Sequence, residues 1–211
     1  MQAEGLVRNI GHFARFLETM SFSHGELINV SNIARDSQVD RKLVINYLAI
    51  LEDLLLSFTL PVFTKRAKRE LAAHEKFYIF DSGVYQSLRP MGPMDNRQIM
   101  DGHALEGLVG QHLRAWIAYS GKDCKLYFWR TRHGGEVDFI IYGEDTFAAF
   151  EVKSSKRVYP EDVRALRAFK EDYPEATVRL LYGGDQQLLV NDILCVPVSQ
   201  FLLSLDPQNL L

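Results

Sequence analysis

The chain has 211 residues, enough for one large domain or two small ones. Its 47% hydrophobic and 24% charged residues separate it from disordered chains. With 24 Lys plus Arg against 27 Asp plus Glu, the formal charge of −3 excludes a strongly basic whole-protein field as the source of any nucleic-acid affinity.

Two cysteines, Cys124 and Cys195, make neither a disulfide scaffold nor a Cys-rich zinc site, a usage that fits a reducing cytoplasm. The most apolar stretch, Leu48–Phe63, is interrupted by Glu52, Asp53 and Pro61, so no membrane span is expected. The N-terminal residues lack the pattern of a secretory leader. Nothing matches the phosphate-binding GxxxxGK[ST] pattern.

In chain order, Leu6, Ile10, Phe13, Phe16, Leu17 and Met20 recur at helical spacing and predict a first amphipathic helix. Ser31 is a candidate cap for a short helix over Asn32–Ser37. Asp40 can cap a third helix starting at Arg41, whose apolar stripe runs from Leu43 to Leu55. The β-rich runs Ser57–Phe63 and Lys76–Phe80, separated by the polar Thr64–Glu75, complete the layout of a winged helix. Arg89–Asp101, with two prolines and two methionines, reads as a linker.

From Gly102 the pattern changes. A helix over Leu105–Ala118 leads to strands at Lys125–Trp129, Glu136–Tyr142 and Phe147–Lys153. A helix opened by Pro160 follows, then a strand at Thr177–Tyr182, a short run at Ile193–Val196 and a helix over Val198–Leu205. The expectation is an α/β (α+β) chain with residues 1–88 as a winged-helix domain, 89–101 as linker and 102–211 as a mixed sheet flanked by helices.

The second half carries the chemistry. Side chains alternate faces along a strand, so Glu151 and Lys153 share one face, and Glu136 and Asp138 share one face of the preceding strand. Adjacent strands would set Asp138, Glu151 and Lys153 side by side, and converging carboxylates call for a divalent cation such as Mg²⁺ or Mn²⁺. Glu106 falls within the apolar arc of its helix, where an unpaired carboxylate is costly, so it needs a partner: a metal or Lys153.

Glu106 on a helix, Glu136-Val137-Asp138, and Glu151-Val152-Lys153 resemble the PD-(D/E)XK nuclease superfamily, with its restriction-endonuclease-like fold. More narrowly, Lys76–Gly83, Leu105-Glu106, Tyr127–Arg130, Glu136–Phe139 and Phe150–Ser155 resemble a family of unknown function attached to AAA-type ATPases in bacteria and archaea. In that family a winged helix precedes a nuclease-like domain, and the resemblance runs from about Leu6 to near the end. It implies that Asp138 and Glu151 bind Mg²⁺ or Mn²⁺, that Glu106 completes the shell, and that Lys153 orients the attacking water. The family's ATPase module has no counterpart here, which leaves an ATPase domain or subunit as an expected partner.

For nucleic acid, with DNA the expected form, the candidate contacts are Arg41 and Lys42 at the start of the third helix. The basic run Lys65, Arg66, Lys68 and Arg69, and Arg130 before the Asp138 strand, join them. Residues 1–88 hold equal numbers of acidic and basic side chains, so this half is neutral. Two functions are therefore open: a metal-dependent nuclease hydrolysing phosphodiester bonds, or a non-catalytic module docking DNA or an ATPase partner. The histidines show no ligand-like spacing, and no serine or cysteine triad is apparent.

Overall fold

In the computed structural model, which describes residue 7 and residues 9–93 and 95–208, Asn9 opens helix α1 (Ile10–Ser21) by accepting the His12 N–H. Leu6, assigned to this helix from the sequence, lies outside the described residues. Helix α2 (Val30–Ser37) is capped by Asn29, which accepts the Asn32 N–H at 3.1 Å. Ser31, the expected cap, instead falls within the first turn, because Asn29 already reaches the free N–H group. Gln38 turns the chain at φ 54°, and Asp40 caps α3 (Arg41–Asp53) by accepting the Lys42 N–H at 2.8 Å.

Strands β1 (Glu26–Leu27), β2 (Ser57–Leu60) and β3 (Lys76–Ile79) form a small sheet in the order β1-β3-β2. Asp81 caps helix α4 (Ser82–Leu88). Phe16, Met20, Val44, Tyr47, Phe77 and Tyr85 fill the core of this unit.

The larger sheet contains β4 (Cys124–Arg130), β5 (Glu136–Gly143), β6 (Phe147–Lys153), β7 (Thr177–Tyr182), β8 (Leu188–Val190) and β9 (Ile193–Pro197), in the order β4-β5-β6-β7-β9-β8. The first three strands are antiparallel, β6, β7 and β9 run parallel to one another, and β8 pairs antiparallel with β9. Helix α6 (Arg164–Asp172) buries Leu166 and Phe169 with Ile140, Ala149 and Leu180. Helix α7 (Val198–Ser204) meets the opposite face, with Phe201 against Phe150 at 5.1 Å between ring centres. The mixed α+β class expected from the sequence is the class observed.

α6 begins at Arg164 rather than at Pro160. Residues before it form a turn in which Tyr159 N–H donates to the Asp162 carboxylate at 2.8 Å and Asp162 N–H donates to the Tyr159 carbonyl. The aspartate offers the backbone a local alternative to the helix.

The segment expected to be a wing joins the large sheet instead. Phe63 N–H donates to the Phe128 carbonyl, and Ala72 N–H to the Arg130 carbonyl. The reason is Phe63, 1% exposed, which packs among Tyr127, Tyr142, Phe147, Phe169 and Tyr173. Two compact units result: the described residues up to Thr59 with His74–Gly107, and Leu60–Ala73 with Leu108 onward. This departs from the contiguous 1–88, 89–101 and 102–211 division. Residues 97–101, expected as linker, open helix α5 (Arg97–Ser120), of which residues to Gly107 belong to the first unit. Among the described residues no helix is long and apolar enough to cross a membrane.

Candidate active site

β5 and β6 pair Ile140 with Ala149 and Phe139 with Phe150. One residue further, the same register sets Asp138 against Glu151 on the face covered by α6. Backbone pairing stops there because the Asp138 carboxylate takes the Val152 N–H at 2.9 Å. Both carboxylates are buried, Asp138 at 7% and Glu151 at 6% exposure. Lys153, two residues along the same face, donates to Glu151 Oε1 at 2.6 Å.

These three side chains line a cleft of about 790 Å³ with Glu136, Glu161 and Asp162. Arg69, His133 and Arg164 supply its basic wall. Burial disfavours the Lys153 ammonium, but the charge and hydrogen bond of Glu151 and the charges of Asp138 and Asp162 outweigh it. Lys153 is held above the ordinary lysine value and stays charged at neutral pH. The β4–β5 turn at the cleft is fixed by Thr131, whose hydroxyl accepts the Gly135 N–H at 3.0 Å, while Gly134 adopts φ +89°.

Glu106 is placed differently from expectation. In the first unit its Oε1 accepts hydrogen bonds from Lys76 Nζ at 2.7 Å and the Tyr78 hydroxyl at 2.5 Å. Within the first unit, the buried Lys76 is the cation that this helix-borne carboxylate meets. Lys76, 1% exposed, requires a counter-charge, and as the lone charged residue of β3, all four of whose residues are buried, it gave no warning of a buried cation. Among the described residues, no group of three His, Cys, Asp or Glu side chains is close enough to hold a metal. Within the second unit the structure brings Asp138 and Glu151 together, while Glu106 belongs to the first unit.

The basic candidates separate. Arg41 and Lys42 are exposed at the start of α3. Arg130 pairs with Glu136 at 3.1 Å, and Arg69 with Asp172 at 2.6 Å. Lys65, Arg66 and Lys68 line a second cleft in the same unit as the acids. The sequence reading missed Glu161, Asp162 and Arg164 as cleft residues; acids after Pro160 carry the signature of a helix start, which hid them.

Residues 101–201 match a domain of unknown function (DUF4143), and residues 1–95 match another domain of unknown function (DUF8612). The uncharacterized proteins Rv2008c of Mycobacterium tuberculosis and Mb2031c of Mycobacterium bovis are each 29% identical over 186 residues. That alignment covers 85% of this chain and 40% of either relative, so the chain spans about two fifths of the length of the curated relatives it matches. No solved structure gives a significant match.

Proposed function

We propose that the second unit is a Mg²⁺- or Mn²⁺-dependent nuclease hydrolysing phosphodiester bonds of nucleic acid, with DNA the expected substrate. The observation that carries this reading is the meeting of two buried carboxylates, Asp138 and Glu151, with the Lys153 ammonium on one sheet face in an open cleft. Two hard oxygen ligands suit Mg²⁺, which keeps several waters and takes further oxygens from phosphate.

Asp138 and Glu151 would hold the ion; when bound, it would polarise the phosphate and acidify its water. Asp138 is fixed by the Val152 N–H, so its carboxylate is oriented before substrate arrives. Lys153, kept charged by its acidic neighbours, would offset negative charge gathering on the phosphoryl group.

Alternatively, the chain docks DNA or a partner without catalysis, a reading favoured by the tight Lys153–Glu151 pair, which already compensates one carboxylate. The added length of the relatives leaves room for an ATPase module as that partner. The deciding assay is Mg²⁺- or Mn²⁺-dependent cleavage of plasmid and single-stranded DNA beside Asp138→Asn and Lys153→Ala. The nuclease reading predicts a loss of at least about 100-fold in either variant. Equal cleavage by all three proteins rejects it.

A further inference from the structure

Phe63, Tyr142, Phe147 and Tyr173 form an aromatic cluster in the second unit, in which Phe63 and Tyr173 are buried beneath the half-buried Tyr142 and Phe147 that reach the cleft surface. Tyr142 meets Phe147 edge-on at 5.1 Å, and Phe63 stands 5.3 Å from both Tyr142 and Tyr173. These residues line an open cleft of about 710 Å³ rimmed by Lys65, Arg66 and Lys68. Lys65 Nζ lies over the Tyr142 ring at 5.0 Å. Tyr173 is 5% exposed, and its buried hydroxyl has no hydrogen-bond partner among the described residues.

The placement of this cleft gives it meaning. Along β5, Tyr142 and Asp138 share a face, and along β6, Phe147 and Glu151 share the same one. Four residues separate the members of each pair, about 14 Å at roughly 3.4 Å per residue. Helix α6 covers the face between, with Asp162 and Arg164 beside the acidic cleft and Asp172 and Tyr173 beside the aromatic one. The basic segment likewise touches both, through Lys65 in one and Arg69 in the other.

We propose that the aromatic cleft is a base-stacking subsite for single-stranded nucleic acid, holding a nucleotide upstream or downstream of the phosphate that meets Asp138, Glu151 and Lys153. It rests on the nuclease reading for the position of the cut, though not for binding. Aromatic faces accept any base, while lysines and arginines along the rim take the backbone. The 14 Å separation matches about four stacked nucleotide steps of ~3.4 Å, or fewer in an extended strand.

The carboxylates Glu144, Asp145, Asp172 and Glu175 share this cleft and oppose a polyanion, although Arg69 neutralises Asp172. An intact duplex cannot insert its stacked bases into such a wall. Single strands are therefore the predicted occupant.

The test is fluorescence anisotropy of a labelled oligo-dT and a duplex of equal length with the full chain in EDTA, where no cut can occur. Tyr142→Ala should weaken single-strand binding about tenfold, Tyr142→Trp should retain it, and the duplex should bind more weakly than the single strand to the unaltered chain. Lys65→Ala, a surface change, should weaken single-strand binding and reduce the slope of log K against log salt by about one contact. Circular dichroism of each variant establishes that it is folded. If the folded Tyr142→Ala and Lys65→Ala chains bind as the unaltered chain does, or single strands do not bind at all, the subsite is rejected, whatever the cleavage assay gives. Tyr142-dependent binding without any cleavage supports the subsite and rejects only the nuclease reading.

Discussion

His24 is 1% exposed and has both ring nitrogens committed: Nδ1 accepts the Ile79 N–H at 3.0 Å and Nε2–H faces the His103 carbonyl at 3.1 Å. Burial chiefly, with the charges of His103 and Lys76, pushes its pKa down to about 3 despite the His103 carbonyl bond. The folded state therefore binds fewer protons than the unfolded chain below 6.5, and stability falls as pH falls from 6.5 towards 3. The expected slope from this group is about 1.4 kcal/mol per pH unit. As pH falls through that window the urea midpoint of the chain should drop more steeply than that of His24→Asn; parallel curves would contradict this assignment. Nearby, Gly107 leaves room for the ring, since an added Cβ would lie 2.5 Å from Nε2. Glu106→Gln should destabilise the first unit by removing the negative charge that faces Lys76 Nζ at 2.7 Å, read in the same titration. A Glu106→Gln chain as stable as the original would remove Glu106 from that structural role. From the sequence, Glu106 was recognisable as an inward acid, but the identity of its partner depends on a register between distant segments.

At the scale of elements, α3 ends in a Schellman motif: Leu56 N–H donates to the Leu51 carbonyl and Leu55 N–H to the Glu52 carbonyl. Leu55 occupies the left-handed position at φ 59°, where glycine is favoured, and is 73% exposed. Nothing in the structure explains a leucine there. Leu55→Gly should raise stability by about 1 kcal/mol, measured by denaturant unfolding; a loss of stability would show that this side chain makes a contact that matters. The central strands were legible because β5 and β6 combine apolar runs with a period-two placement of Asp138, Glu151 and Lys153. β1 has only two residues and β8 three, too few to establish a period. The start of α6 was misplaced because Pro160 and two acids satisfy the helix-start pattern, while the Asp162 side chain bonds backbone in a turn.

For the whole molecule, the boundary between units could not be read from composition, because Leu60–Ala73 crosses it to pair with β4. A fragment covering 102–211 lacks Phe63 and should unfold with less cooperativity and at lower temperature than the full chain, by calorimetry. An unchanged second-unit transition would show that the segment adds nothing to that core. The Asp138 and Glu151 face was foreseeable from two short motifs, whereas the aromatic cleft draws residues from three separate stretches and had no local signature. Together these features set an acidic cleft and an aromatic cleft on the face that α6 covers. The most direct measurement is an anomalous difference map from crystals of the full chain soaked in MnCl₂. The account predicts a Mn²⁺ peak between the Asp138 and Glu151 carboxylates that disappears in Asp138→Asn. A map with Mn²⁺ bound elsewhere and none between these two side chains would contradict it.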